Sequence, residues 1–156
     1  MSDPLLRRAR PTDAVAVAML HLAARRHAMP YLPELRSDDE VRVWTRETLL
    51  PKAEVWLAEI AGEPVGYLAL VDDILDHLYV APDHQGRGVG SMLLAKAKAL
   101  RPAGLQLYAF QRNRRARDFY EARGFAPVRF SNGAGNEERE PDVVYEWPGT
   151  RSGRKQ

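Results

Sequence analysis

The stretch HQGRGVGSMLL, residues 84–94, sets three glycines within five positions and then turns apolar. It follows ILDHLYVAP, a β-rich run closed by Pro82, and it leads into residues that repeat with helical spacing through about Arg101. A second β-rich run, GLQLYAF, comes directly after. Strand, glycine turn, helix, strand is a βαβ unit, and its two strands must lie parallel in one sheet because a helical crossover joins them. The turn also has a chemical consequence. The first N–H groups of a helix lack partners within it, and the helix dipole places about half a positive charge there. Gly86, Gly88 and Gly90 let the backbone bend so that several N–H groups converge, with Arg87 adding a cation. The alternative is a purely structural helix start.

The remaining runs add elements on both sides of this unit. PLLRRARP reads as a first strand, and Thr12 as the N-cap of a helix to about Arg26 with Val15, Met19 and Leu22 on one stripe. SDDE is a capping box, Ser37 with Glu40, opening a helix that carries Val41, Trp44, Thr48 and Leu49. EVWLAEIAGEPVGYLALV reads as a hairpin about AGEP. The helix after the glycine turn has a stripe of Val89, Met92, Leu93, Ala97 and Leu100. NRRARDFYEARGF is a short helix ending at Gly124, and APVRFS and DVVYEW are two last strands around the loop NGAGNEEREP. The expectation is a mixed α/β fold in one domain, residues 1–149, with residues 150–156 a disordered tail.

Composition narrows the chemistry. With no cysteine among 156 residues, a disulfide framework, a thiolate metal site and a cysteine nucleophile are all excluded. No apolar run has the length of a signal segment or a membrane span, so a cytoplasmic, soluble protein is expected. The net charge of +2 conceals a division: residues 34–84 carry four basic and twelve acidic groups, and residues 85–123 carry nine basic and two acidic. If these stretches wall one site, it suits a polyanion on one side and a cation on the other. His21, His27 and His84 lack metal-ligand spacing, and no metal is expected.

Two phosphate-binding patterns fail. No G-x-x-x-x-G-K-S/T run exists. A dinucleotide fingerprint requires a third glycine where Ser91 stands, and an acid near Leu105 to Tyr108, where there is none. The segment Gln85-Gly86-Arg87-Gly88-Val89-Gly90 instead matches Q/R-x-x-G-x-G/A, and Asn113, Ala116, Phe119, Tyr120, Glu121, Gly124 and Phe125 match N-x-x-A-x-x-F-Y-E-x-x-G-F. Together, in this order and separation, they resemble the GNAT superfamily of N-acetyltransferases, most strongly from Leu75 to Phe125.

The resemblance implies a mostly antiparallel mixed sheet of about seven strands flanked by about four helices. It implies acetyl-CoA as co-substrate and direct acetyl transfer to a primary amine, on a small molecule or a peptide, in a monomer or homodimer. The coenzyme pyrophosphate would lie on residues Gln85 to Ser91, and its pantetheine arm along the backbone of Leu78, Tyr79 and Val80. Asn113 and Phe119 would also contact it. Tyr120 would protonate the departing thiolate; the plain alternative is a tyrosine packed beside Phe119. For the base, Asp76 is the first candidate. Asp76 and His77 are neighbours on a strand and are expected to point to opposite faces, so that at most one faces the site. Some family members carry a glutamate where this chain has Tyr108, which places that route in doubt; Asp72, Asp73 and Glu59 stay open. The acceptor side would draw on Tyr31, Leu32, Trp44 and the loop acids Glu137, Glu138, Glu140 and Asp142, aromatics and carboxylates that suit a cationic amine. In RNRRAR, Arg112 or Arg117 would meet coenzyme phosphates, or the run is a solvated basic face. Two other readings are a non-catalytic acyl-CoA-binding domain of the same fold and a basic nucleic-acid module.

Overall fold

The structure, a computed structural model, describes residues 3–150. Seven strands form one sheet in the order β1-β2-β3-β4-β5-β7-β6. They are β1 (Leu5–Arg8), β2 (Glu54–Ile60), β3 (Glu63–Val71), β4 (Ile74–Val80), β5 (Leu105–Phe110), β6 (Ala126–Ser131) and β7 (Asp142–Trp147). Every pairing is antiparallel except β4 with β5. Four helices cover the sheet: α1 (Ala14–Ala28); α2, which begins as Asp38–Trp44, passes through a π turn at Thr45–Leu49 and ends in Leu50–Lys52; α3 (Val89–Leu100); and α4 (Arg114–Glu121). This is the mixed, mostly antiparallel seven-stranded sheet with four helices that the sequence leads one to expect.

The two sheet faces carry separate apolar clusters. Val17, Leu20, Leu49, Leu57 and Tyr67 pack α1 and α2 against one face. Leu68, Leu93, Leu107, Phe125 and Tyr145 pack α3 and α4 against the other. α3 buries Val89, Leu93, Leu94 and Ala97; Met92 and Leu100 lie at the edge of that contact, so the stripe is turned slightly toward Leu94.

Two expectations for α1 are corrected. Thr12 caps nothing: a 3₁₀ turn at Pro11–Asp13 precedes the helix, and Thr12 is exposed within it. Asp13 holds that entry instead, accepting from both Arg7 Nη atoms at 2.8 Å and from the Arg10 N–H at 2.7 Å. The buried stripe is also not Val15 and Met19, which are 56% and 59% exposed. The buried residues are Ala14, Val17, Ala18, Leu20, His21 and Ala24. With alanines on both sides, apolar spacing fits two faces, and the alanine-rich face allows the closer approach to the sheet.

The capping box forms as expected. Ser37 Oγ accepts from the Glu40 N–H at 3.1 Å, and the Ser37 N–H donates to Glu40 Oε1 at 2.7 Å. Further along the helix the buried Thr45 hydroxyl donates back to the Val41 carbonyl at 2.8 Å, at the start of the π turn. The β2–β3 hairpin turns at Ala61 and Gly62, both at positive φ, the geometry that matches strand twist in a two-residue loop. At the chain end, the tail expected over 150–156 lies outside the described residues except for Thr150, whose N–H donates to the Pro102 carbonyl at 3.0 Å.

Two irregularities make room for a site. β4 and β5 share a single Cα register pair, Ile74 with Gln106, and then diverge. The backbone of Leu78 to Val80 is thereby open on its β5 side. β4 also carries a bulge: Ala69 opposes His77 and Leu70 opposes Leu75, which leaves Asp76 as the extra residue.

Candidate active site

The open edge of β4, the glycine turn and α4 enclose a cleft of about 620 Å³. Leu78, Tyr79 and Val80 form its floor; Gln85, Gly86, Gly88, Gly90 and Ser91 form one wall; Asn113, Ala116, Phe119 and Tyr120 form the other. Residues separated by some forty positions in sequence thus meet in one groove.

The glycine turn ends in Gly86 at φ +80° and Gly88 at φ +83°, with Gly88 capping α3. A Cβ at either would meet nothing within 4 Å. Glycine is needed there for the left-handed backbone, and the space in front of it is open for a ligand. Gly90 differs, since a Cβ there would lie 3.6 Å from the Phe119 ring. The Gln85 side chain donates to the Val80 carbonyl at 3.2 Å and pins the turn to the end of β4. Val89 is sealed in the core and Arg87 is exposed, and neither of these two expected contacts lines the cleft.

Asn113 caps α4, its Oδ1 accepting from the Ala116 N–H at 3.3 Å. Tyr120 stands two turns along on the same side. Its ring packs edge-on to Phe119 at 5.2 Å and Phe125 at 5.5 Å. Burial, and then the neighbouring Tyr79 hydroxyl, hold its pKa above the ordinary tyrosine value, so the phenol keeps its proton at any working pH.

The basic wall of the cleft comes from other arginines than those expected. Arg112 makes a bidentate pair with Glu140 at 2.8 and 2.9 Å, and Arg117 donates to Tyr145 Oη and the Gln111 carbonyl. Arg114 pairs with Asp118. It is Arg115 and Arg123 that line the cleft. Arg123 stacks 3.9 Å over Phe119 and donates to Ser91 Oγ at 2.9 Å, joining α4 to the start of α3. Nothing in the spacing of RNRRAR singles out Arg115, and Arg123 lies outside that run, just past the end of α4. The last turns of α1 contribute Ala24, His27, Ala28 and Met29, which carry no sequence signal of their own.

Met29 is shared with a second, smaller pocket of about 320 Å³ on the α1–α2 side. Its floor holds His21, Trp44 and His77, and its rim Glu34, Arg36, Glu137 and Glu138. Trp44, Leu32, Glu137 and Glu138 are therefore placed together as the sequence suggests. Tyr31 is not: its ring lies under the Arg112 guanidinium at 3.9 Å, outside the pocket. Glu140 and Asp142 are also elsewhere, Glu140 on Arg112 and Asp142 on Ser131 and Asn136. The rim acids are compensated. Glu138 takes Arg25, Glu137 takes Arg36 and Glu34 takes Arg26, each at 2.7 Å.

The bulge corrects the expectation for Asp76 and His77. Their side chains lie on the same side, His77 Nε2 at 3.4 Å from Asp76 Oδ2, because the extra residue breaks the alternation of the strand. His77 lines the smaller pocket on the α1–α2 side and Asp76 does not. His77 packs among His21, Trp44, Tyr67 and Tyr79, with ring centroids 5.4 to 6.2 Å away. Burial, with Arg25 nearby, pushes the His77 imidazole down to about 4. Burial, then His77 and Arg25, push His21 down to about 3. Both are neutral at pH 7. Burial raises the Asp76 carboxyl. Of the other acids considered, Glu59 is bound to Arg7, and Asp72 and Asp73 lie in the β3–β4 turn. Tyr108 is 54% exposed and lines neither the cleft nor the smaller pocket.

The comparisons give the class of protein to which this fold belongs. The profile of the acetyltransferase (GNAT) domain matches residues 51–127. The probable N-acetyltransferase Rv2775 of Mycobacterium tuberculosis is 30% identical over 142 residues, covering 80% of each chain. The peptidyl-lysine N-acetyltransferase YiaC of Escherichia coli is 27% identical over 146 residues, 92% of this chain and 97% of its own. The solution structure of apo-form YjaB from Escherichia coli superposes with a TM-score of 0.78 at 24% identity, over 95% of this chain and 99% of that one. This chain belongs to the GNAT family of N-acetyltransferases. Among the described residues no helix is long and apolar enough to cross a membrane.

Proposed function

We propose that the protein, through one domain over residues 1–149, transfers acetyl from acetyl-CoA to the side-chain amine of a lysine in a peptide or protein. The observation that carries the reading is the meeting of the two cavities at Met29, with Tyr120 in one and the compensated acceptor pocket as the other. The pyrophosphate binds the N–H groups from Gly86 to Gly90 at the start of α3, where the helix dipole favours an anion. Pantetheine pairs with the open backbone of Leu78 to Val80 and passes Asn113 and Phe119, which brings the thioester toward Tyr120.

The acceptor class follows from the charges. Each rim carboxylate is paired with an arginine, so the pocket offers no free anion for a second ammonium and no free cation for a free carboxylate. Its floor of Leu22, Leu32, Val41, Trp44 and neutral imidazoles suits one amine on an alkyl stem. That the relative YiaC is named a peptidyl-lysine acetyltransferase supports the same class. Desolvation among these groups favours the neutral amine required for attack.

Tyr120 acts as general acid toward the departing thiolate. The test is free-thiol release from acetyl-CoA over a panel of lysine peptides, small monoamines and polyamines. Tyr120→Phe should lose roughly 10²-fold in kcat, the usual worth of a positioned acid, while still binding acetyl-CoA. Wild-type protein that binds acetyl-CoA but releases no thiol with any amine would instead be a binding domain.

A further inference from the structure

Attack on the thioester leaves the acceptor nitrogen with a proton to lose, and Tyr120 stands on the leaving-group side of the reaction. The group that takes this proton must line the acceptor pocket and have a way to release it. Among the carboxylates, Glu34, Glu137 and Glu138 are bound by arginines, and Asp76 does not reach the pocket. Two imidazoles remain in the lining, His21 and His77. His21 has Nδ1 bonded at 3.0 Å to the fully buried Tyr67 hydroxyl, which leads nowhere. His77 has Nε2 turned toward Asp76 Oδ2 at 3.4 Å, and Asp76 has 48% of its side chain in solvent. The carboxylate lies nearest Nε2, so its charge favours the tautomer protonated there and leaves Nδ1 to accept; Nδ1 has no hydrogen-bond partner among the described residues.

We propose that His77 is the catalytic residue that takes the acceptor proton through Nδ1, and that Asp76 is the positioning residue that fixes its tautomer and passes the proton to solvent; this rests on the acetyltransferase reading above. The amine nitrogen forms a bond to the thioester carbonyl carbon. The C–S bond breaks with its electron pair left on sulfur. Sulfur takes the Tyr120 proton, nitrogen gives its own to His77, and Tyr120 and His77 return to their starting states by exchange with solvent. The balance is amine plus thioester to amide plus thiol.

The surroundings of His77 suit the role. α1 presents His21 and Arg25, β3 presents Tyr67, β4 presents Tyr79 and Asp76, and Glu138 reaches it through Arg25. Arg25 and burial keep the imidazole unprotonated and ready to accept. So weak a base does not deprotonate a free ammonium; the nitrogen of the tetrahedral adduct is more acidic, and its proton is the one that His77 takes. The β4 bulge creates the pair, since regular alternation would turn Asp76 to the other face.

The test measures thiol release from acetyl-CoA with a lysine peptide for wild type, His77→Gln, His77→Ala and Asp76→Asn, from about pH 6.5 to 9.5, below the lysine value of about 10.4. His77→Gln should lose roughly 10²-fold in kcat at neutral pH with little change in KM, and the loss should shrink as pH rises and hydroxide takes over. Added imidazole should restore part of the His77→Ala rate, and Asp76→Asn should show a smaller loss with a displaced pH profile. A deficit in His77→Gln that is constant with pH and not rescued by imidazole in His77→Ala would mark a packing role and overturn the proposal. So would wild-type kcat in His77→Gln. If the His77 variants do not fold, an unchanged pH profile in Asp76→Asn overturns it. Either failure leaves wild-type thiol release intact, whereas absence of release from wild type removes the acetyltransferase reading itself.

Discussion

Gly66 sits on β3 with its missing side chain directed at α3. A Cβ there would lie 2.9 Å from the Tyr79 carbonyl, 3.1 Å from Leu93 Cδ1 and 3.3 Å from Val89 Cγ1. The carbonyl belongs to the β4 floor of the coenzyme cleft and cannot yield without moving that strand. Gly66→Ala should therefore cost about 1–3 kcal/mol, the usual penalty of overpacking, and weaken acetyl-CoA binding as well. Urea denaturation and coenzyme titration check the two effects. At this scale the sequence announced residues that a motif singles out, such as Gly86, Gly88, Asn113 and Tyr120, and the structure gathers them around one cleft. It was silent on Gly66, whose constraint comes from β4 and α3 beyond its local run. It was equally silent on Arg123 and Met29, which enter the clefts through helical phase and a chain reversal that composition does not encode.

Among the elements, α2 shows how much a local signal achieves. Its first turn is set by Ser37 and Glu40, which satisfy each other's backbone N–H groups before any tertiary contact is made. The helix places Trp44 in the smaller pocket, the one proposed for the acceptor. Ser37→Ala should cost about 1 kcal/mol, as cap losses do, and raise KM for the acceptor more than for acetyl-CoA, because the first turn of α2 frays on the acceptor side alone. Thermal melts and separate KM determinations decide it. The strands and helices of this chain are legible for the same reason: caps, prolines and periodicity act locally. α1 is the exception in its facing, because its alanines make Val15 and Met19 as plausible a stripe as Val17 and Leu20. The β4 bulge is the exception in register. No residue in ILDHLYV marks it, yet it decides that Asp76 and His77 meet.

Across the whole molecule, the sheet buries two histidines in their neutral form. His21 and His77 lie 5.4 Å apart between α1 and the sheet, held down to about 3 and about 4 chiefly by burial. In the unfolded chain each would titrate near about 6.5. Below that pH the unfolded state binds protons that the native state refuses, so stability falls as pH falls and continues to fall until the folded values are reached. The slope approaches about 1.4 kcal/mol per pH unit for each histidine. Asp13 adds a second, more acidic step. Arg7 holds its carboxyl down to about 2 against an ordinary 3.8, so its contribution is complete above the ordinary value and is lost as pH falls toward 2. The molecule should thus begin to lose stability near about pH 6.5, well above the carboxylate range, and go on losing it below about 4, where Asp13 takes over as His77 reaches its folded value. His77→Gln should remove close to half of the first slope and leave the second untouched, whereas Asp13→Asn should flatten only the second. Urea midpoints from about pH 7.5 to 3 would resolve the two steps. A flat midpoint between about 6.5 and 4.5 would mean that the histidines are hydrated enough to charge within the folded protein. On the role proposed for His77, the first step also links fold to reaction: the burial that keeps its imidazole unprotonated is the burial that makes the protein acid-labile.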